Sequence, residues 1–425
     1  MENFYYYDYL KKYSNKEDIE YLDLIKYELD MRIYYYGQHF KTPKEGNSNK
    51  RINYYIKNII KNIFWDIKYY FTKIISENNN NILSNAYFTI NSELSSLGYN
   101  VISPPWNIRL NNFILPSKFF YNQNKTFLKK INNNSFFDLL NNDFKYELYD
   151  FIINSKEIYK KYINALFVPQ DMSVMERIII KVFKEINKPS FIFLHGLPGR
   201  YNNFDENRSD YLIVWGEKIK EIYLKQGFSP NKIFVSGHPY YKYLKTKELI
   251  FSLENILIIT KSVSGAQHSD FCRVQDRGNL ITYLFSIQFV LQKFGVKSVR
   301  FRPHPSENGD WYLKYIDKNF FHLDNKKLDD SLINSSLIIG PTSTVVLEAI
   351  YMGINYIVYE PVINDINLEG LTLVPPFDGS DNRLPVAKDE ENLYEIIKNK
   401  AKIDISVWHD YIKTPFDISF IKNIL

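Results

Sequence analysis

The chain has 425 residues, enough for two ordinary domains, and its 45% hydrophobic and 24% charged residues exclude wholesale disorder. A net charge of +5 is too small to predict a nucleic-acid-binding protein, although a mild basic bias suits an anionic substrate. The single cysteine, Cys272, excludes an internal disulfide framework and indicates a reducing compartment.

Residues 1–80 are predicted to form an N-terminal helical extension. Apolar residues recur at helical spacing over 17–38 and 51–75, with lysines among those of the second segment. A basic amphipathic hairpin either packs on the domain behind it or lies on a membrane surface. No signal peptide is apparent, and no uncharged run approaches the ~20 residues of a membrane span. We expect a cytoplasmic protein, with peripheral attachment to the inner membrane left open.

Strand and helix patterns alternate over residues 81–248. Apolar runs predict strands at 86–90, 97–105, 165–168, 190–196, 211–216 and 232–236. Helices are predicted at 91–94, 146–162, 172–186 and 217–226. The Asn-rich stretch 107–143 is interpreted as an irregular insertion available to an acceptor substrate. This alternation predicts an α/β domain with a parallel sheet and right-handed crossovers.

The same alternation recurs over residues 249–400. Strands are predicted at 255–260, 299–302, 336–340 and 354–359, and helices at 278–294, 345–352 and 392–400. The chain is therefore predicted to fold as two doubly wound parallel-sheet domains. Residues 401–425 are expected to form terminal helices that cross back to the first domain.

His304 is the first candidate for chemistry. It follows the strand 299–302, and the flanking Pro303 and Pro305 restrict its backbone, so the imidazole is held in one direction. Ligands of α/β sheets bind at the carboxyl ends of the strands. We expect His304 to hydrogen-bond or protonate a phosphate, the alternative being a purely structural histidine.

A hydroxyl-rich turn follows the strand 336–340. Thr342, Ser343 and Thr344 occupy the cap and first turn of the helix 345–352. Unpaired N–H groups and the positive end of the helix dipole favour an anion there, and the hydroxyls add donors. Ordinary capping requires only one such side chain, so the surplus favours phosphate binding.

Further candidates lie near this turn. Glu348, one helical turn further on, is either a ligand of ribose hydroxyls or an exposed glutamate favoured by the helix dipole. Ser262, Ser264 and Gly265 form a small-residue loop after the strand 255–260, a weaker signal for a diphosphate.

His195 is the candidate in the first domain. It lies between an apolar strand and a Gly/Pro-containing loop, Gly196 to Arg200. The near-neutral unperturbed pKa of histidine suits a general base, while a structural N–H donor is the alternative. P-loop, GxGxxG, GxSxG and HExxH motifs are absent from the sequence, which argues against NTPases, dehydrogenases, α/β-hydrolases and zincins. No acidic strand-end pair stands out, so no metal requirement is expected.

These residues resemble motifs of the two-domain GT-B transferases that build bacterial surface polysaccharides. The resemblance covers about 163–361 and is to the group of CDP-glycerol glycerophosphotransferases and HP-motif sialyl- and Kdo-type transferases. It implies two Rossmann-like domains facing a cleft. It also implies roles for individual residues: His195 as base with Gly196 and Arg200 on the acceptor side, Arg302 and His304 on the phosphate side, and Thr342, Ser343 and Thr344 around the donor phosphates.

The donor stays open, because Gly340–Thr344 replaces the Asp-Tyr-Ser-Ser turn of the glycerophosphotransferases. A CMP-linked nonulosonate or Kdo-type sugar is favoured over a CDP-polyol or a UDP-sugar, since both motif-sharing groups use cytidine nucleotides. The expected protein is a metal-independent glycosyltransferase without a cofactor. It would act on a hydroxyl of a capsule, lipopolysaccharide or related glycan and bind no nucleic acid. A UDP-sugar 2-epimerase-like isomerase and a non-catalytic polysaccharide-assembly protein are the alternatives from other classes.

Overall fold

The structure is a computed structural model. It describes residues 5–12, 14–34, 69, 72–77, 80–86, 88–107, 113–198, 208–241, 243–244, 248–261, 274–305, 307, 309–363, 366–367 and 373–425. The predicted helix at 17–38 is confirmed over Lys16–Tyr34, which follows a shorter helix, Tyr5–Lys12. Most of the helix predicted at 51–75 lies outside the described residues, and its end, Lys73–Ile74, is a strand instead.

The first eight strands form a parallel sheet and a separate two-stranded pair. The strands are β1 (Lys73–Ile74), β2 (Asn81–Ser84), β3 (Asn100–Ile102), β4 (Phe113–Ile114), β5 (Ala165–Val168), β6 (Ser190–Phe193), β7 (Tyr211–Val214) and β8 (Ile233–Val235). Neighbours follow the order β3-β2-β5-β6-β7, all parallel, whereas β1 pairs separately with β4. The helices that accompany them are Phe88–Ser96, Lys118–Asn133, Phe136–Leu139, Asn142–Tyr162 and Val174–Glu185. The order reverses between β2 and β5, as in a doubly wound sheet.

The strand predicted at 86–90 is wrong. The strand lies earlier, at Asn81–Ser84, and Phe88–Ser96 is helical. The strand was missed because it begins with a polar residue, Asn81. The Asn81 side chain is nevertheless buried, and its amide donates to the carbonyls of Ser76 and Tyr162 at 3.0 and 2.9 Å.

The irregular insertion predicted at 107–143 is also wrong. Residues Lys118–Asn133 form a helix that begins at Ser117, whose hydroxyl accepts from the Phe120 N–H at 3.2 Å. Phe120, Phe127 and Ile131 are buried on one face, so tertiary packing outweighs the weak helix propensity of the many asparagines.

The second set of strands builds the other sheet. The strands are β9 (Ile256–Ile259), β10 (Val299–Arg302), β11 (Phe321–Leu323), β12 (Leu337–Gly340), β13 (Asn355–Tyr359), β14 (Val362–Ile363), β15 (Ile366–Asn367) and β16 (Val386–Ala387). Six of them form a parallel sheet in the order β11-β10-β9-β12-β13-β16. In sequence terms this is 3-2-1-4-5-6, the Rossmann order, with its reversal between β9 and β12. The strand β11 had no sequence signal.

The remaining helices lie between residues 217 and 423. The α-helices are Glu217–Lys225, Val274–Lys293, Gly309–Tyr312, Leu328–Ile333, Val345–Met352, Glu390–Lys398 and Ser406–Tyr411, with 3-10 helices at Pro230–Lys232 and Ser419–Asn423. The residues of β9, β12 and β13 are all buried, as expected for a parallel sheet covered on both faces. No helix in the described part of the chain is both long enough and apolar enough to cross a membrane.

The described residues divide into two compact units. The N-terminal unit contains those up to His195, together with 208–213 and 418–425. The C-terminal unit contains 196–198 and the described residues of 214–417. The predicted α/β class with two doubly wound parallel sheets is confirmed, and the finer domain boundaries stay predictions.

Candidate functional site

The candidate site lies at the carboxyl edge of the second sheet, where the strand order reverses. Thr260 and Lys261 follow β9, His304 follows β10, and the turn of Thr342, Ser343 and Thr344 follows β12. Neighbouring parallel strands end at the same edge, so the structure brings His304 and the hydroxyl turn to one face of one unit. Such an edge is where ligands of doubly wound sheets bind.

Glu360, which follows β13, is the centre of this edge. Its side chain is 1% exposed, and its Oε1 accepts from the Thr342 N–H at 2.7 Å. The ammonium of Lys261 lies 2.7 Å from the same oxygen. A buried carboxylate requires such compensation. Glu360 therefore fixes the hydroxyl turn to the end of β9, a role that no local sequence pattern indicated.

The three hydroxyls of the turn have different surroundings. Ser343 Oγ accepts from the Val345 N–H at 3.2 Å, the first N–H of the helix Val345–Met352. Thr344 Oγ1 accepts from the Leu197 N–H at 3.1 Å. Thr342 is 7% exposed, and among the described residues its Oγ1 has no hydrogen-bond partner. A buried hydroxyl of this kind calls for an explanation.

The segment Gly196–Leu197 packs against this turn within the C-terminal unit. A Cβ on Gly196 would lie 3.3 Å from Thr344 Oγ1, tighter than ordinary van der Waals contact. Gly196 was predicted as an acceptor-side residue, and the structure places it beside Thr344, a predicted donor-side residue. Because Gly196 has no side chain, the chain can approach Thr344 closely enough for the Leu197 N–H to donate to Thr344 Oγ1.

His304 is exposed at the end of β10, and its backbone is held on both sides. Its N–H donates to Thr260 Oγ1 at 3.3 Å, and its carbonyl accepts from the Glu307 N–H at 2.8 Å. Partial desolvation of the ring by neighbouring protein lowers the pKa of His304 below its usual value. The shift favours the neutral imidazole, which can donate one N–H hydrogen bond to a phosphate oxygen.

Arg302 and Glu348 have partners beside the edge. The guanidinium of Arg302 donates to the Lys326 carbonyl at 2.5 Å and to Ser331 Oγ at 3.2 Å, toward the segment after β11. Desolvation raises the pKa of Glu348, and the nearby Asp329 carboxylate raises it further. The phosphate role of Arg302 and the ribose role of Glu348 stay predictions.

Several candidates cannot be placed. Ser262, Ser264, Gly265 and Arg200 lie outside the described residues. Within the described ranges, no group of three or more His, Cys, Asp and Glu side chains is arranged to hold a metal ion. Metal independence stays a prediction.

His195 lies at the carboxyl end of β6 in the N-terminal unit and is exposed. Its Nδ1 lies 2.9 Å from the carbonyl oxygen of Pro169. A carbonyl can only accept, so this contact fixes the tautomer with the proton on Nδ1 and the lone pair on Nε2. The lone pair on Nε2 can accept a proton, and the role of His195 as a general base stays a prediction.

Sequence reasoning missed Glu176, a buried carboxyl group near the reversal of the first sheet. It belongs to the helix after β5, is 5% exposed, and accepts from the Asn85 side-chain amide at 2.8 Å. Burial raises the pKa of Glu176, with its hydrogen bonds opposing the shift. A single glutamate within an apolar helix carries no sequence pattern that would predict a buried carboxyl group.

His238, which follows β8, is mostly enclosed by aromatic rings of the C-terminal unit. Its ring packs edge-on to Trp215, with centroids 4.7 Å apart, and its Nδ1 accepts from the Tyr240 N–H at 3.2 Å. Burial lowers the pKa of His238 to about 4. Protonation would charge a desolvated ring and break the hydrogen bond from Tyr240.

We therefore expect acid to destabilise the C-terminal unit through His238. Between pH 6.5 and pH 4 the unfolded chain binds a proton that the folded chain excludes, so stability falls as pH falls. The contribution from pH 7.5 to pH 5 is about 2 kcal/mol. Urea unfolding of wild type and His238→Asn at both pH values measures it, because asparagine keeps an acceptor without titrating. Equal pH dependence in the two proteins would contradict the prediction.

No protein-family model and no curated protein matches the chain. Among solved structures, it is similar to the UDP-GlcNAc 2-epimerase from Neisseria meningitidis bound to UDP-GlcNAc, with 13% identity, a TM-score of 0.46, and 81% and 97% of the two chains covered. It is also similar to the lipopolysaccharide outer core galactosyltransferase WaaB, at 14% identity, a TM-score of 0.41, and 81% and 97% coverage. A variant of the wall teichoic acid polymerase TagF matches at 13% identity, a TM-score of 0.41, and 89% and 95% coverage. Similarity at this level carries no functional argument, and the fold assignment rests on the strand orders above.

Proposed function

We propose that this chain is a glycosyltransferase that moves a sugar from a nucleotide donor to a hydroxyl of a bacterial surface glycan, such as a capsule or lipopolysaccharide. The observation that supports it best is the carboxyl edge of the Rossmann-ordered sheet. There an exposed, backbone-fixed His304 follows β10, and a helix N-terminus follows β12, on either side of β9; the Thr342 hydroxyl of that turn has no hydrogen-bond partner among the described residues.

In the proposed reaction, His195 Nε2 removes the proton of the acceptor hydroxyl, and the acceptor oxygen forms a bond to the anomeric carbon. The bond between that carbon and the donor phosphate oxygen breaks, and the nucleotide leaves with the electron pair. His304 and the donors of the turn 342–344 stabilise the charge that develops on the phosphate. Preorganised donors of this kind are the largest contribution in many such reactions.

The proposal also names the donor nucleotide sugar and the cellular location. The favoured donor is a CMP-linked nonulosonate or Kdo-type sugar, ahead of a CDP-polyol or a UDP-sugar, on the motif resemblance alone. Glu348 would contact the ribose, and no metal would be needed. The protein would act in the cytoplasm, with peripheral attachment to the inner membrane.

A thermal-shift series with CMP, CDP, UDP, GDP and ADP tests the nucleotide class. A ligand that binds the folded state stabilises it by RT ln(1 + [L]/Kd), so a nucleotide at ~100-fold above its Kd adds about 2.7 kcal/mol. We expect CMP or CDP to raise the melting temperature, and Thr342→Val to reduce that shift. Valine matches threonine in shape and lacks only the hydroxyl.

The other outcomes are equally informative. A shift with UDP alone would keep a nucleotide-sugar enzyme but overturn the cytidine donor. Conversion of a UDP-sugar without any acceptor would support an epimerase in place of a transferase. No shift with any nucleotide would contradict the proposed function.

A further inference from the structure

The loop after β10 is anchored by a buried carboxylate, Glu307, which is 9% exposed. Its Oε2 accepts from the Tyr312 hydroxyl at 2.6 Å and from Thr260 Oγ1 at 3.3 Å. Tyr312 is 2% exposed and packs edge-on to Phe301 of β10, with ring centroids 5.5 Å apart. The carboxylate is thus attached to the core of the C-terminal unit.

This network reaches the backbone of His304 by two routes. The His304 N–H donates to Thr260 Oγ1 at 3.3 Å, and the Glu307 N–H donates to the His304 carbonyl at 2.8 Å. A threonine hydroxyl has one proton and two lone pairs, so Thr260 accepts from His304 while it donates to Glu307. Both peptide groups of His304 are therefore connected to Glu307, the carbonyl through the backbone N–H of Glu307 and the N–H through Thr260 to the Glu307 carboxylate.

We propose that Thr260 and Glu307 are positioning residues for His304. The catalytic part of this inference rests on the proposed function. The direction of an exposed imidazole depends on the position of its backbone, and the two hydrogen bonds fix the peptide groups on both sides of His304. A misplacement of about 1 Å at a reacting group can cost ~10²-fold in rate, so a fixed peptide at this position has a catalytic consequence.

Thr260 offers a matched pair of substitutions. Thr260→Val removes the hydroxyl at nearly constant shape, whereas Thr260→Ser keeps the hydroxyl and loses only a methyl group. We expect Thr260→Val to lower kcat at least ~30-fold with less than a ~2-fold change in the donor KM, and Thr260→Ser to stay within ~3-fold of wild type. If Thr260 had only a structural role, Thr260→Val would change stability without lowering kcat selectively, and Thr260→Ser would not restore kcat.

Hydrogen exchange of the His304 backbone amide, measured without substrate, is the second readout. We expect exchange at least ~10-fold faster in Thr260→Val than in wild type or Thr260→Ser, because the amide has lost its acceptor. If Thr260→Val does not fold, Thr260→Ala removes the same hydroxyl with less bulk and is measured in its place.

The two readouts separate the inference from the proposed function. If wild type transfers no sugar from any donor, the proposed function fails, and amide exchange still decides whether the network holds His304. Unchanged exchange in the hydroxyl-free variant overturns the positioning role. So does a kcat within ~3-fold of wild type, or an equal loss in Thr260→Ser.

Discussion

Replacement of His304 by alanine should lower turnover at least ~10²-fold while leaving the free energy of unfolding nearly unchanged. The imidazole is exposed, so its removal leaves no cavity in the core, and both backbone hydrogen bonds of residue 304 survive the substitution. The proposed interaction with the leaving phosphate is lost. Steady-state turnover with the nucleotide sugar selected by thermal shift, alongside urea unfolding, measures both quantities.

The chain provides a matched control in His322. It is an exposed histidine on β11 of the same sheet, but it lies in the middle of its strand and away from the carboxyl edge. We expect His322→Ala to keep turnover within ~2-fold of wild type, as for a surface substitution away from a site. Similar activity in the two variants would remove His304 from the proposed mechanism.

Replacement of Gly340 by alanine should destabilise the C-terminal unit by about 3 kcal/mol. Gly340 ends β12 in the middle of the sheet, and a Cβ there would overlap Ile259 of β9 and the hydroxyl of Tyr356. That hydroxyl donates to the Pro341 carbonyl at 2.6 Å, so it cannot move aside without losing its partner. Urea unfolding measures the loss.

Gly278 is the control for this substitution. It lies in the helix Val274–Lys293, and no described atom would come within 4 Å of an added Cβ. Gly278→Ala should therefore stabilise the chain by roughly 0.5–1 kcal/mol, because alanine is the better helix former. If Gly340→Ala cost less than ~1 kcal/mol, the ends of β9 and β12 would be able to separate, and the fixed geometry of the edge would be in doubt.

Local sequence signals were enough to predict the elements where a strand, a turn and a helix follow one another closely. The helix Val345–Met352 was predicted with its observed bounds, because the hydroxyl residues Thr342, Ser343 and Thr344 mark its start. Its end is marked by Gly353, which has φ of 80° and supplies the left-handed residue that terminates many helices. The spacing of His304 after β10 followed from the same kind of signal.

Long-range partners could not be predicted in this way. Lys261 and Glu360 are 99 positions apart and meet only because β9, β12 and β13 are neighbours in the sheet. A single lysine and a single glutamate carry no pattern, and a strand order is not visible in the sequence. The helix Lys118–Asn133 was not predicted for another reason: its asparagine-rich composition obscured the apolar residues that are buried on one face.

The pairing of Lys261 with Glu360 has a consequence for how this edge would discriminate between anions. The ammonium is already paired with a carboxylate 2.7 Å away, so the pair has no net charge and attracts an incoming anion less than a lone lysine would. Backbone and hydroxyl dipoles, which act over a few ångströms and depend on direction, would then contribute a larger share of the attraction. Recognition at such an edge would follow the shape of the phosphate ester more than its total charge, and it would change little with ionic strength.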